Sequence, residues 1–335
     1  MATPPPAPRR APQPAVRQLL VDAESDGQRL DNYLVRELKG VPKTHVYRII
    51  RSGEVRLNKG RAQADTRVQT GDVVRVPPIR TSDKPAAAAA AVPAREFPLL
   101  YEDAALLAVN KPAGVAVHGG SGVSFGVIEQ LRRARPELPL LELVHRLDRE
   151  TSGILLVAKK RSALRGLQDQ FRDRETGKTY LALVRGAWPA RQKVIDWPLH
   201  KYLLSDGERR VRVTTPDDPD GMRSITLVKV LGRVAPLPGW PAEACQEFSL
   251  LAVTIKTGRT HQIRVHLSHA GHPILGDDKY GDFELNRLLQ RHGLKRMFLH
   301  AWQLRFRHPV DDAEIQLQAD LPPDLQAWAG SGLIL

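Results

Sequence analysis

Residues 79–96 interrupt the chain with a low-complexity stretch: Pro77 and Pro78 lead into it, and Pro85 and Pro93 flank the alanines at 86–91. Prolines at both ends disfavour a helix there, so the stretch reads as a linker, and a linker implies two separate cores. The 335 residues, 42% of them hydrophobic, suffice for two soluble domains with tails. The expected division is a disordered Pro/Arg-rich tail at 1–18, a small domain at 19–78, the linker, and a large domain at 97–335. The tail lacks the apolar centre of a secretory signal, and no apolar run approaches the ~20 residues that span a bilayer. Cys245 is the one cysteine, which excludes an intrachain disulfide and a thiolate metal cluster. It reads as a buried structural thiol in a protein of the reducing cytoplasm. Fifty Lys and Arg against thirty-seven Asp and Glu leave a net charge of +13. Such an excess either forms a solvated basic surface or answers an anionic partner, with nucleic acid ahead of a membrane because no strongly basic amphipathic helix is evident.

In the small domain, Leu30, Tyr33 and Leu34 share one face of a helix at 29–38. Val46, Ile49 and Ile50 share one face of a second at 44–51, closed by Gly53. A strand at 55–57, a turn at Asn58-Lys59-Gly60 and a strand at 72–76 follow. Lys43, His45, Arg48, Arg51 and Arg56 gather around the second helix opposite its apolar face, a concentration suited to phosphate contact. The run Gln28-Arg29-Leu30-Asp31-Asn32-Tyr33-Leu34, with Val55-Arg56-Leu57-Asn58 and Gly71-Asp72-Val73-Val74, resembles an S4 domain. That family is a small RNA-binding module, so the resemblance implies structured RNA as the anionic partner.

In the large domain, 106–109, 154–158, 180–184, 250–255 and 263–267 read as strands. Residues 162–172 read as a helix through Leu164, Leu167 and Phe171. Asn110-Lys111-Pro112-Ala113-Gly114 reads as the turn after the first strand. His118-Gly119-Gly120-Ser121-Gly122 is a glycine-rich turn without the spacing of a nucleotide-binding fingerprint. Strands outnumber helices and do not alternate regularly with them, which argues for an α+β domain on a largely antiparallel sheet.

Charged side chains crowd His145-Arg146-Leu147-Asp148-Arg149-Glu150-Thr151-Ser152-Gly153, directly before the apolar run 154–158. A carboxylate where the chain enters the core loses water while guanidinium neighbours favour its charge. Equally, Asp148 can be a turn aspartate bonding its own backbone beside solvated arginines. The residues alone leave the two readings even. A Ser-His-Asp triad of His145, Asp148 and Ser152 is geometrically implausible within one rigid turn. Gly177-Lys178-Thr179-Tyr180 and Gly258-Arg259-Thr260-His261-Gln262-Ile263-Arg264-Val265-His266 put a phenol and further guanidinium groups at strand edges. His261, His266, His269 and His272 match no zinc spacing, and on a strand His261 and His266 would face opposite ways, so no metal site is expected. The same strand geometry would put Gln262 and Arg264 on a common face.

Five ordered pieces resemble the pseudouridine synthases of the RluA family: 110–114 with His118, 145–153, Lys178-Thr179-Tyr180-Leu181-Ala182, 258–266, and Gly271-His272-Pro273-Ile274-Leu275-Gly276-Asp277. With the S4-like unit in front and the stretch at 118–129, the chain is most similar to the branch that modifies 23S ribosomal RNA. The resemblance implies a catalytic domain on a mixed, largely antiparallel sheet flanked by helices. It implies an isomerisation in which uracil is cut from C1′ of its ribose, turned, and rejoined through C5. Asp148 takes the place of the essential aspartate, either attacking C1′ or removing the 2′ proton. Arg264 matches the arginine that pairs with it, and Tyr180 the tyrosine that stacks on the flipped base and is a candidate to take the C5 proton. Arg146, Lys111, His118, Arg259 and His261, with Lys43, His45, Arg48 and Arg51, are the expected RNA contacts. The reaction is redox-neutral, so no cofactor is expected, and neither is an obligatory protein partner; a cytoplasmic monomer acting on 23S ribosomal RNA or its precursor is the reading. The alternatives are an RluD-like or transfer-RNA-directed relative, or a non-catalytic RNA-binding ribosome assembly factor. The intact trio of Asp148, Tyr180 and Arg264 speaks against the last.

Overall fold

The computed structural model describes residues 15–38, 40–79, 92–120, 124–205, 208–235, 239–242, 244 and 247–329. Most of the expected tail, the alanine run at 86–91, Ser121 and Gly122 of the glycine-rich turn, and Cys245 lie outside them. The chain divides into two compact units, Met1–Pro93 and Ala94–Leu335. Among the described residues no helix is long and apolar enough to cross a membrane.

In the first unit, α1 (Leu30–Glu37) and α2 (Lys43–Arg51) bury the two apolar faces read from the sequence, Leu30, Tyr33 and Leu34 against Val46, Ile49 and Ile50. They pack with β1 (Arg17–Leu20), β2 (Arg56–Leu57) and β3 (Val73–Val76), an antiparallel sheet in the order β1-β3-β2. Arg17 and Gln18 therefore belong to a strand and not to the tail. Two residues in the left-handed region, Asn58 and Lys59, make the turn after β2, a conformation that suits a tight reversal. The Asn58 side chain locks it by accepting the Val73 N–H at 2.9 Å.

The second unit contains β4 (Leu99–Glu102), β5 (Leu106–Lys111), α3 (Val127–Ala134), β6 (Glu142–Leu143), β7 (Ser152–Ala158), α4 (Arg161–Asp173), β8 (Gly177–Arg185) and β9 (Val194–Asp196). Then come β10 (Leu199–Leu203), β11 (Arg209–Val213), β12 (Ile225–Val234), β13 (Phe248–Ile255), α5 (Gln262–His269), α6 (Phe283–Arg291), β14 (Leu299–Arg307), β15 (Glu314–Gln318) and α7 (Pro323–Ala329). The main sheet runs β4-β5-β7-β14-β8-β13-β12-β9, with β6 also on β7 and β15 also on β14, while β10 and β11 form a separate ribbon. Its pairs are antiparallel except β7 with β14, so the expected mixed, largely antiparallel α+β sheet is what the chain forms.

Every residue of β7 is buried because helices cover both faces of the sheet there. Ile154, Leu156 and Ala158 pack with Ala163, Leu164 and Leu167 of α4. Leu155 and Val157 face the other way, against Val127, Ile128 and Leu131 of α3. A strand buried on both sides reads as a continuous apolar run, which is why 154–158 carries no alternation. At its start the parallel contact with β14 sets Gly153 opposite Ala301, with φ +107. A Cβ at Gly153 would stand 2.2 Å from the Ala301 carbonyl oxygen. Gly153→Ala is therefore expected to destabilise the protein by at least about 3 kcal/mol; denaturant unfolding reads this, and an unchanged midpoint would contradict it.

Two expectations are corrected. Asn110 and Lys111 complete β5 and do not form a turn. Residues 263–267 lie in helix α5, not a strand. Gln262, Ile263, Arg264, Val265, His266 and Leu267 are all buried, and a helix buried all round shows no 3.6-residue period, while Ile263 and Val265 imitate strand alternation. Gln262 and Arg264 are consequently not on one face, since helix residues two apart diverge.

Candidate active site

The segment between β6 and β7 carries the charged motif, and buried polar groups hold it from several sides. The His145 ring stacks on Phe171 of α4 at 4.7 Å, and its Nε2 accepts the Leu156 N–H at 3.1 Å. Burial pushes His145 down to about 4, which keeps it a neutral acceptor. Lys111, fully buried, donates to the carbonyls of Pro112 at 2.8 Å, Val115 at 2.8 Å and Arg149 at 3.0 Å. Burial pushes its ammonium down to about 7, against which three carbonyl acceptors favour the protonated form, the only one with three N–H donors. Lys111 thus anchors the loop and is corrected as an RNA contact: no part of its ammonium is open to phosphate. Ser152 accepts from Arg296 Nη2 at 2.6 Å and meets His300 Nδ1 at 2.8 Å. His300 Nε2 donates to the Ala319 carbonyl at 3.0 Å, so Nδ1 is the acceptor and the Ser152 hydroxyl the donor. Ser152 is buried and does not line the cleft, so its hydroxyl is closed to a substrate.

Burial pushes His300 down to about 4 as well. Both imidazoles are neutral when folded, and both return to an ordinary value near 6.5 on unfolding. The unfolded chain therefore takes up protons that the folded chain refuses. The stability they contribute is present above pH 6.5 and is lost as pH falls toward 4. Denaturant midpoints should fall across that window, and more shallowly in His145→Gln, whose amide oxygen accepts without titrating; an identical slope would contradict the assignment.

Asp148 stands on this platform, its carbonyl accepting the Thr151 N–H at 3.1 Å and its side chain 30% exposed. It opens into a cleft of about 100 Å³ with Arg146, Tyr180, Arg259, His261 and Arg264. Arg264 arrives from α5 with a side chain 4% exposed, and its Nη1 reaches Asp148 Oδ2 at 3.3 Å. Its other edge grips Asp277 in a bidentate pair, Nε to Oδ2 and Nη2 to Oδ1, both at 2.7 Å. Nη2 also lies 3.2 Å from Asp278 Oδ1, and the Tyr280 ring sits 5.2 Å from the guanidinium carbon. Asp277, 1% exposed, accepts two further backbone N–H groups, from Lys279 at 2.8 Å and Tyr280 at 3.0 Å. Burial works against both charges, but for Asp277 the guanidinium and the backbone donors outweigh it and hold the carboxyl below its ordinary range. For Arg264, burial is outweighed by Asp277, then Asp148 and Asp278, and its pKa is raised. Arg264 is therefore fixed by Asp277 and lends Asp148 a single N–H. A bidentate clamp would have taken both oxygens of Asp148 out of reach of a substrate.

Tyr180, on β8 between Val253 and Ala301, lines the cleft and packs against the apolar cores on either side. Burial, and then Asp148, push its phenol above the ordinary range. Arg146 is exposed at the cleft, and Arg259 lines it with Nε 3.4 Å from the Arg223 carbonyl. His118 is exposed with Nδ1 2.7 Å from the Gly119 carbonyl and is not among the residues lining the cleft. His261 is half-buried inside it, next to Asp148. In the first unit Lys43, Arg48 and Arg51 are exposed on α2 and His45 is half-buried, with Arg48 3.3 Å from Glu54.

His266, His269 and His272 do structural work. His266 bonds Thr226 and the Trp197 carbonyl, both at 2.9 Å, His269 packs on Trp197, and His272 bonds the Arg185 carbonyl. Among the described residues one group, His200, Asp218 and Asp220, has ligand-capable atoms within 4.8 Å of one another. Asp218 already bonds His200 and Thr214, and none of the three lines the cleft. Sequence reasoning assigned no role to Asp277, Asp278 or Tyr280. Asp277 closed a recognised motif, but nothing in that motif points to an arginine thirteen residues upstream.

A model of the RNA pseudouridylate synthase family matches residues 105–269, and an S4 domain model matches 28–74. Ribosomal large subunit pseudouridine synthase C of Pasteurella multocida is 49% identical over 322 residues, 95% of this chain and 94% of that protein. The protein of the same name from Escherichia coli is 48% identical over 93% of this chain and 95% of its own. Among solved structures, human RNA pseudouridylate synthase domain containing 1 superposes with a TM-score of 0.54 at 27% identity, covering 68% of this chain and 84% of that one. The chain belongs to the RNA pseudouridylate synthase family and carries an S4 domain in front. It is an RNA pseudouridine synthase.

Proposed function

We propose that this chain converts specific uridines of 23S ribosomal RNA, or its precursor, to pseudouridine in the cleft around Asp148. The observation that carries the reading is the meeting in that cleft of a half-open carboxylate, one guanidinium N–H at 3.3 Å and a tyrosine ring. The large-subunit substrate follows the relatives named above, which match nearly the whole chain. Asp148 acts as the essential carboxylate, at C1′ or on the 2′ proton. The N1–C1′ bond breaks and a C5–C1′ bond forms; the C5 proton leaves and N1 ends protonated, so atoms balance with no outside group. Arg264 orients the carboxylate through its single N–H at 3.3 Å. Tyr180, whose raised pKa keeps it a neutral phenol, offers a face for the extruded base more readily than a base for the C5 proton. Arg146 and Arg259 flank the cleft for the RNA backbone, and Lys43, His45, Arg48 and Arg51 of the S4 domain supply further phosphate contacts, with His118 a candidate of the same kind. The protein acts in this reading as a cytoplasmic monomer without a cofactor.

Pseudouridine mapping of ribosomal RNA from cells lacking the protein tests this. Particular 23S positions should revert to uridine and be restored by the wild-type chain but not by Asp148→Asn. Intact 23S positions with a lost transfer-RNA pseudouridine would move the assignment to a transfer-RNA-directed relative.

A further inference from the structure

His261 immediately precedes α5 with φ +52, a left-handed conformation that strains a residue other than glycine. Strain of this kind persists where the surroundings fix it. Here the side chain, 14% exposed, is held between Tyr280 and Asp148, with Nδ1 2.9 Å from Tyr280 Oη and Nε2 3.9 Å from Asp148 Oδ2. Tyr280 Oη already accepts the Val211 N–H at 3.1 Å and has one proton to give. Burial raises its pKa, so it keeps that proton at neutral pH. Given to Nδ1, the proton leaves the imidazole N–H on Nε2, facing the carboxylate. The opposite tautomer would set a lone pair against Oδ2 and leave the phenol proton without this acceptor.

We propose that His261 is a positioning residue, its tautomer set by Tyr280 so that a neutral Nε2–H steadies Asp148 for reaction. The proposal rests on the reading of Asp148 as the reacting carboxylate. Arg264 and His261 both address Oδ2, so Oδ1 is the oxygen neither engages. At 3.9 Å the contact is longer than a hydrogen bond, and such contacts in empty sites tighten when substrate fills them. The ring stays neutral: burial lowers its pKa, and although Asp148 favours a charged ring, Arg264 and Lys279 oppose it, and the net direction is downward. A neutral donor orients the carboxylate without drawing off the charge it needs to react. This differs from a phosphate contact, which would use an exposed and preferably cationic ring.

Single-turnover rates and RNA affinity of the full chain on a 23S transcript, with ¹⁵N spectra of His261, test the proposal. Tyr280→Phe should slow the bound complex by about tenfold, and His261→Ala by about ten- to a hundredfold, each with an RNA dissociation constant within about twofold of wild type. The wild-type spectrum should report the Nε2–H form, and Tyr280→Phe should admit the other tautomer. An Nδ1–H ring in the wild type, or a His261→Ala variant that binds RNA weakly yet reacts at the normal rate once bound, overturns it. Asp148→Asn is the control. If that variant turns over, the functional reading has failed; if it is dead while both other variants react normally, only the positioning role has failed.

Discussion

Asp148→Asn should lose pseudouridine formation by on the order of 10³-fold or more while its RNA dissociation constant changes by less than about twofold. The amide nearly matches the carboxylate in shape, so the loop held by His145, Lys111 and Thr151 has no cause to move. What disappears is the negative oxygen, the one thing both chemical routes require. RNA binding depends on cations, and Asp148 contributes none. Tritium release from RNA labelled at uridine C5 measures turnover, and filter binding measures affinity. An Asn variant that works within tenfold of wild type would remove Asp148 from the chemistry.

Arg264→Met should destabilise the protein by about 3 to 5 kcal/mol at pH 7, in addition to ending activity. The substitution leaves the Asp277 carboxylate buried, with only its backbone donors to balance it. In the wild type the carboxyl of Asp277 is held below its ordinary value, so the stability it contributes is present above the ordinary carboxylate pKa and is lost as pH falls below it. Without the guanidinium, burial alone raises that carboxyl, and the variant gains stability as acid neutralises it. The gap between the two proteins should be widest near pH 7 and narrower near pH 4.5. Denaturant unfolding at both values measures it; a gap that stays constant or widens in acid would mean that Asp277 is not the group Arg264 compensates.

Local pattern carried much of the fold. The apolar faces of α1 and α2, the left-handed turn after β2 and the doubly covered strand β7 all announced themselves through periodicity, turn residues or an unbroken apolar run. Helix α5 did not, because burial on all sides erases the period that betrays a helix, and its β-branched residues mimic a strand. Lys111 was legible as a basic residue in a motif, but nothing local tells that its ammonium is buried against three carbonyls. The site was legible mainly through resemblance: Asp148 and Arg264 stand 116 residues apart, and only the fold brings them within 3.3 Å. Asp277, the partner that fixes Arg264, belongs to a recognised motif, yet its function depends on a pairing that no sequence spacing encodes.

The most direct test of the central claim is tritium release by the purified full-length chain from 23S ribosomal RNA labelled at C5 of uridine. The account predicts release that keeps pace with new pseudouridine at discrete positions, with none from the Asp148→Asn protein. RNA that is bound by the wild-type chain but keeps its label and gains no pseudouridine would contradict it.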